Sequence, residues 1–212
     1  LLVSNSSVAQ ITDSSDGFTA FTSSGFTLGD NGTGTQSLEL NKSGNTFVSW
    51  NWAAGGSASS NSDGSVSSSV SANATSGFSI VTWTGNGTND ATIGHGLGAV
   101  PKWILVKNLD TSDSWNVYHT DMGNGKRLLL DTNGAANTNS TPWNDTSPTS
   151  SLFSVGTNTG TNKSGSNLIA YAFAEKKGFS RFGTYKGNSS ASGPFIYCGF
   201  KPALFVVKRY DA

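Results

Sequence analysis

Apolar residues in this chain come in short runs that alternate with polar ones. FVSWNW (47–52) shows the pattern, with Phe47 and Ser49 on one side and Val48 and Trp50 on the other. GFSIVTWTG, KWILVKNL, SWNVYH, RLLL, LFSVG, NLIAYAFA, FIYCGF and ALFVVKRY are likewise short and rich in β-branched or aromatic residues. Between them stand DNGTG, NKSG, AAGG, TGNG, DTNG and KGNSS, which supply turn positions. No stretch carries the 3.6-residue period of an amphipathic helix of ordinary length, and RLLLDTNGAANT holds a helical turn at most. The pattern predicts about a dozen strands in an all-β fold of antiparallel, jelly-roll-like β-sandwich units. Residues 53–76, AAGGSASSNSDGSVSSSVSANATS, are the longest low-complexity stretch, expected as an exposed loop or arm in which VSSSVSANA forms one weak strand at most.

The pattern also returns. NKSG stands at 41–44 and at 162–165, and the alignment places Phe47 on Leu168, Val48 on Ile169, Trp50 on Tyr171 and Trp52 on Phe173. Upstream, LLVSNSS from Leu1 matches LLLDTNG from Leu128, and GFTLG (25–29) matches LFSVG (152–156). Downstream, GFSIVTWTGN from Gly77 matches GFSRFGTYKGN from Gly178, and PKWILVKNLD (101–110) matches PALFVVKRYD (202–211). Landmarks in one order point to an internal duplication. The copies are expected to be 1–110 and 111–212 and to fold alike, with 46–52 equivalent to 167–173, 78–84 to 179–185 and 102–109 to 203–210. Residues 114–127 have no counterpart and are expected to pair with the first copy through the DTSD turn. The phase leaves both ends inside the pattern, so the parent polypeptide is expected to continue beyond them. Trp50 and Tyr171 are expected to face a core.

Composition narrows the partners. The 212 residues carry 13 basic and 13 acidic side chains, a net charge of zero, which disfavours nucleic acid or an anionic membrane as partner. Only 12% of residues are charged, as in many extracellular or particle-bound β proteins. Cys198 is the one cysteine, so no intrachain disulfide or thiolate metal site is available, and its apolar run FIYCGF predicts a buried thiol. No apolar run is long enough to span a membrane.

Candidate chemistry is sparse. His95 lies in IGHGLG and His119 ends NVYH; a catalytic or metal pair is the sharp reading, structural histidines the plain one, and no HExxH, GxSxG or CxxC spacing supports the former. Loop aspartates lack EF-hand spacing and read as turn formers. Asp110, Asp113 and Asp211 repeat a strand-end acid, which does not make the paired carboxylates of a glycosidase. Lys107, Lys208 and Arg209 are expected to face solvent. Trp143 differs from the other tryptophans in standing in a loop, TPWNDTSP. An exposed loop tryptophan stacks on sugars, and a buried one plugs the end of a sandwich. The former makes Trp143, Asn144 and Asp145 candidate ligand contacts.

GHGLGAVPKWILVKNLDTSDSWNVYH, TPWNDTSPTSSLFSVG, NLIAYAFAEKKGFSRFGTYKGN and GPFIYCGFKPALFVVKR resemble a repeated domain of tail-fibre-like structural proteins of marine tailed bacteriophages, cyanobacterial phages among them. The resemblance spans nearly the whole chain. It implies a non-enzymatic virion protein, part of a tail fibre or surface decoration, and brings no catalytic residue, metal or cofactor with it. The expected partners are other copies of the chain, as a trimer or other multimer, or other virion proteins, with a host-surface glycan as ligand for the loops. The alternative from another class is a secreted carbohydrate-binding module using loop aromatics.

Overall fold

The computed structural model describes residues 1–12, 17–29 and 40–211. Its strands are β1 (Phe18–Phe21), β2 (Phe26–Leu28), β3 (Ser59–Asn61), β4 (Ser68–Asn73), β5 (Phe78–Thr84), β6 (Ala91–Gly94), β7 (Trp103–Asn108), β8 (Asn116–His119), β9 (Lys126–Leu129), β10 (Asn137–Thr138), β11 (Leu152–Val155) and β12 (Asn167–Phe173). One helical turn, α1 (Thr159–Asn162), precedes β12. The fold is all-β, and every strand-to-strand ladder is antiparallel.

An eight-stranded sheet in the order β10-β9-β8-β7-β12-β5-β4-β3 dominates, beside two-stranded sheets β11-β6 and β1-β2. The large sheet takes β3, β4, β5 and β7 from before residue 110 and β8, β9, β10 and β12 from after it. β8 lies against β7, Trp103 opposite His119, after the DTSD turn. β12 inserts between β5 and β7, with Tyr171 opposite both Ile80 and Leu105.

The alternation along β5, β7 and β12 fills both faces of this sheet. On the inner face Val81, Trp83, Ile104, Val106, Leu168 and Ala170 are buried. They share a core with Ala91 and Ile93 of β6 and Phe153 and Val155 of β11, so the small sheet covers the large one. Trp83 meets Phe153 edge-on at 5.6 Å. On the outer face Leu105, Trp115, Val117, Met122 and Leu128 form a second cluster, covered partly by Leu2 and Tyr210. An aromatic row continues it: Phe173 stacks on Trp103 at 4.7 Å and packs on Phe78 at 4.9 Å. The turn into β5 needs Gly77, which sits at φ +73° and donates its N–H to the Asn73 carbonyl at 2.9 Å. A Cβ there would collide with the Ala174 carbonyl oxygen, which follows β12.

Several expectations need correction. Residues 68–73 are a buried strand and not an arm. Their serines suit the interior because the hydroxyls have acceptors: Ser68 donates to the Gly94 carbonyl at 2.9 Å and Ser71 to that of Gly56 at 2.7 Å. The matched segments do not fold alike. Residues 167–173, 78–84 and 103–108 are strands, whereas 46–52, 179–185 and 203–210 form none, Ser180 making only an isolated bridge to Lys176. The second set has the alternation of a strand but no ladder partner among the described residues. Trp50 is consequently 62% exposed, not in a core. Tyr171 is half-buried in the outer cluster. Cys198 is half-exposed, because its run FIYCGF has no ladder partner among the described residues.

Candidate functional site

The loop TPWNDTSP (141–148) holds the sequence's candidates for ligand contact, and the structure turns its tryptophan inward. Ser140 starts a tight turn, its carbonyl accepting the N–H groups of Trp143 at 3.1 Å and Asn144 at 2.6 Å. Asn144 and Asp145 continue it at φ 52° and 46°, a conformation that Asn and Asp tolerate best among residues with a side chain. The Asn144 amide is tied to the Asp90 carboxylate. This geometry drives the Trp143 ring into the inner core, 2% exposed and edge-on to Tyr118 at 5.7 Å. Trp143 is therefore the plug of the sequence alternatives and offers no face to a sugar. Asn144 is half-buried and Asp145 exposed.

The histidines do not meet in a catalytic arrangement. His95 is buried, its Nδ1 accepting the Leu97 N–H at 3.2 Å and its Nε2 3.3 Å from the Thr149 carbonyl. With Nδ1 accepting, the proton sits on Nε2 and the ring is neutral. Burial holds its pKa below the ordinary value of 6.5, against weaker pulls from the Thr149 carbonyl and Asp63. The imidazole thus pins the GHGLG loop. His119, half-buried at the end of β8, accepts the Asp121 N–H at 3.2 Å, and burial lowers its pKa as well. Among the described residues no group of three His, Cys, Asp or Glu gathers as a metal site.

Another perturbed group is one the sequence places in solvent. Lys107 stands on the outer face of β7 and is fully buried. Its ammonium donates to the carbonyls of Asn108 at 2.8 Å, Ser7 at 3.2 Å and Thr111 at 3.4 Å. Burial lowers its pKa from 10.5, opposed by Asp113 and Asp131. Among the described residues no carboxylate comes within ion-pair distance of it. Those acids serve the loop instead: Asp113 accepts from the hydroxyls of Thr111 at 2.6 Å and Thr159 at 3.1 Å, and Asp131 from the Trp115 N–H at 3.0 Å. A lysine with a shifted pKa in a cleft is a catalytic candidate. Lys107 has no exposed surface and its three donors are engaged, so it fastens residues 7, 108 and 111 together. The signal that could have found it was its return as Lys208, at the same place in the second copy.

A cleft of about 490 Å³ lies along Gln10, Ser69, Thr82, Thr84, Asp110 and Asn167. It presents hydroxyls, amides and one carboxylate. Asp110 is already taken, accepting the Asn167 N–H at 2.7 Å and its amide at 3.2 Å. Such a lining suits a neutral polar molecule and supplies no nucleophile paired with a base.

Runs of exposed apolar residues stand in the segments that have no ladder partner among the described residues. Val48 is 77% exposed, Phe195 88%, Tyr197 75% and Phe205 79%. Single exposed apolar residues are ordinary, whereas runs of them mark interaction surfaces.

The chain belongs to a family described as a domain of unknown function, DUF7483, which it matches over residues 1–212. No curated protein and no solved structure matches it.

Proposed function

We propose that this member of the DUF7483 family is a non-enzymatic structural unit of a virion, a piece of a phage tail fibre or surface appendage that works by associating with like units. The observation that carries this reading is the exposure of strand-like apolar segments at 46–52 and 195–207, which a free-standing globule would bury. The neutral, charge-poor composition and the resemblance to tail-fibre-like proteins support it. The packing of β6 and β11 over the large sheet supports the finer fold reading, a jelly-roll-like sandwich unit, and the ordered sequence matches support the internal duplication. Copies of the chain, as a trimer or other multimer, or other virion proteins are the partners, with a host-surface glycan as the ligand of any exposed loop. The carbohydrate-binding-module alternative relied on Trp143 as a stacking platform, and burial of that ring removes its main support. Immunogold labelling of purified particles of the encoding phage tests the proposal. Gold on the tail or capsid surface is expected, and particles free of the chain would overturn it.

A further inference from the structure

The sequence match between the two copies acquires a geometric meaning from the ladders. Residues 46–52 correspond to β12 and residues 204–209 to β7, and within the large sheet β12 and β7 are neighbours. Their register places Ala170 opposite Val106 and Tyr171 opposite Leu105. Transferred through the repeat, Ser49 comes opposite Val207 and Trp50 opposite Val206. The β12-like and β7-like segments are thus complementary halves of a second sheet, and neither has a ladder partner among the described residues.

The C-terminal segment already behaves as a β7 in one respect. The Leu109 carbonyl, just past β7, accepts the Gln10 N–H at 2.8 Å, and the Tyr210 carbonyl accepts the Ala136 N–H at 2.8 Å. Lys107 donates to the Ser7 carbonyl and Lys208 to that of Thr132. Both β7-type segments therefore dock on matching stretches, one following Leu1 and the other following Leu128. What residues 204–209 lack is the β12-type neighbour. Within one molecule the two halves are tethered to different parts of the sheet. The Ala53 carbonyl is held by Asn73 of β4, and Trp52 packs 6.5 Å from Phe78 and 6.3 Å from Phe173. Lys208 and Tyr210 are held by the stretch after β9.

We propose that residues 46–52 of one copy pair antiparallel with residues 204–209 of a second copy, in the β12–β7 register, and that this strand exchange joins copies head to tail. The partner is a second copy of this chain. A head-to-tail contact of this kind repeats without closing unless its rotation forms a ring. The pairing covers Phe47, Val48, Trp50 and Trp52 on one side and Leu204, Phe205, Val206 and Val207 on the other, and closes two open edges. It deepens the appendage reading but stands on the repeat and the ladders alone.

The test is a directed disulfide. In a Cys198→Ser background, Ser49→Cys and Val207→Cys are made in separate chains, mixed, and oxidised with oxidised glutathione. Directly opposed residues on neighbouring strands lie within disulfide reach. A covalent dimer in the mixture, absent from a Val48→Cys plus Val207→Cys mixture in which the side chains face opposite ways, is the expected result. Adding Trp50→Asp should cut the dimer yield roughly tenfold, the effect of about 1.4 kcal/mol. Closure within a single chain carrying both cysteines, with no dimer in the mixture, would overturn the exchange in favour of pairing within one copy. No disulfide in either format would overturn the pairing altogether. Loss of the virion role would show as unlabelled particles and would leave the disulfide result untouched.

Discussion

Replacing Trp143 by alanine separates its two sequence readings. As a ligand platform the ring would be dispensable for folding; as a plug it holds the inner core. The side chain is 2% exposed and packs against Tyr118 at 5.7 Å with an interplanar angle of 68°. Truncation of a buried aromatic costs about 3–5 kcal/mol, the upper part applying where surroundings cannot collapse. Collapse is restricted here, since the ring is held from below by the sheet and from above by the turn that Ser140 closes. Among the described residues the indole N–H has no acceptor, so no hydrogen bond is lost with the ring and the loss comes from packing. Against a total stability of about 5–15 kcal/mol, roughly a fifth or more of the margin should be lost. Urea unfolding followed by circular dichroism reads the change as a lower midpoint at unchanged slope. Trp143→Phe should lose less than Trp143→Ala, because it keeps a ring against Tyr118. A loss below about 1 kcal/mol for the alanine variant would refute the packing account, since surface substitutions fall in that range.

Other outcomes follow from the same geometry. The His95 and His119 pKa values are lowered on folding, so below about pH 6.5 the unfolded chain takes up protons that the folded chain refuses. Stability should fall as pH falls through that window, and replacing both residues by glutamine should flatten the slope in a pH series of urea midpoints. Lys107 has a lowered pKa for the same reason, so stability should rise with pH as it passes from the folded value towards 10.5, a rise absent in Lys107→Met. Gly77→Ala combines a positive φ with a collision at the Ala174 carbonyl and should cost more than about 1 kcal/mol of stability, read as a lower urea midpoint, whereas Gly187→Ala, which meets nothing, should leave the midpoint in place.

The sequence revealed the strand class because side-chain alternation is local. Phe78–Thr84, Trp103–Asn108, Asn116–His119, Leu152–Val155 and Asn167–Phe173 lie where the apolar runs stood. It failed where the deciding contact is remote. FVSWNW alternates as well as any strand, yet a ladder needs a partner, and alternation says nothing about whether one is present. SSVSAN looked like solvent-exposed chain because burial of its serines depends on the carbonyls of Gly56 and Gly94. Lys107 looked exposed because a lone lysine ordinarily is; three carbonyls converging from residues 7, 108 and 111 reverse that. The candidate loop was located correctly as a distinct element, but whether Trp143 faces outward or inward depends on the left-handed turn at Asn144 and Asp145.

The place of β12 in the sheet dictates an order of events during synthesis. β5 and β7 emerge from the ribosome well before β12, yet the two are joined only through it. At a translation rate of about 5–20 residues per second, both strands wait several seconds with one long edge open. Loop closure over that distance also makes the final insertion slow relative to local hairpins such as β4–β5. Any β12-like strand already at hand, including residues 46–52 of the same nascent chain, competes for the slot during this interval. Production of the protein should therefore be governed by how quickly residue 173 follows residue 108, and translational pausing between them should raise the fraction lost to swapped or aggregated chains.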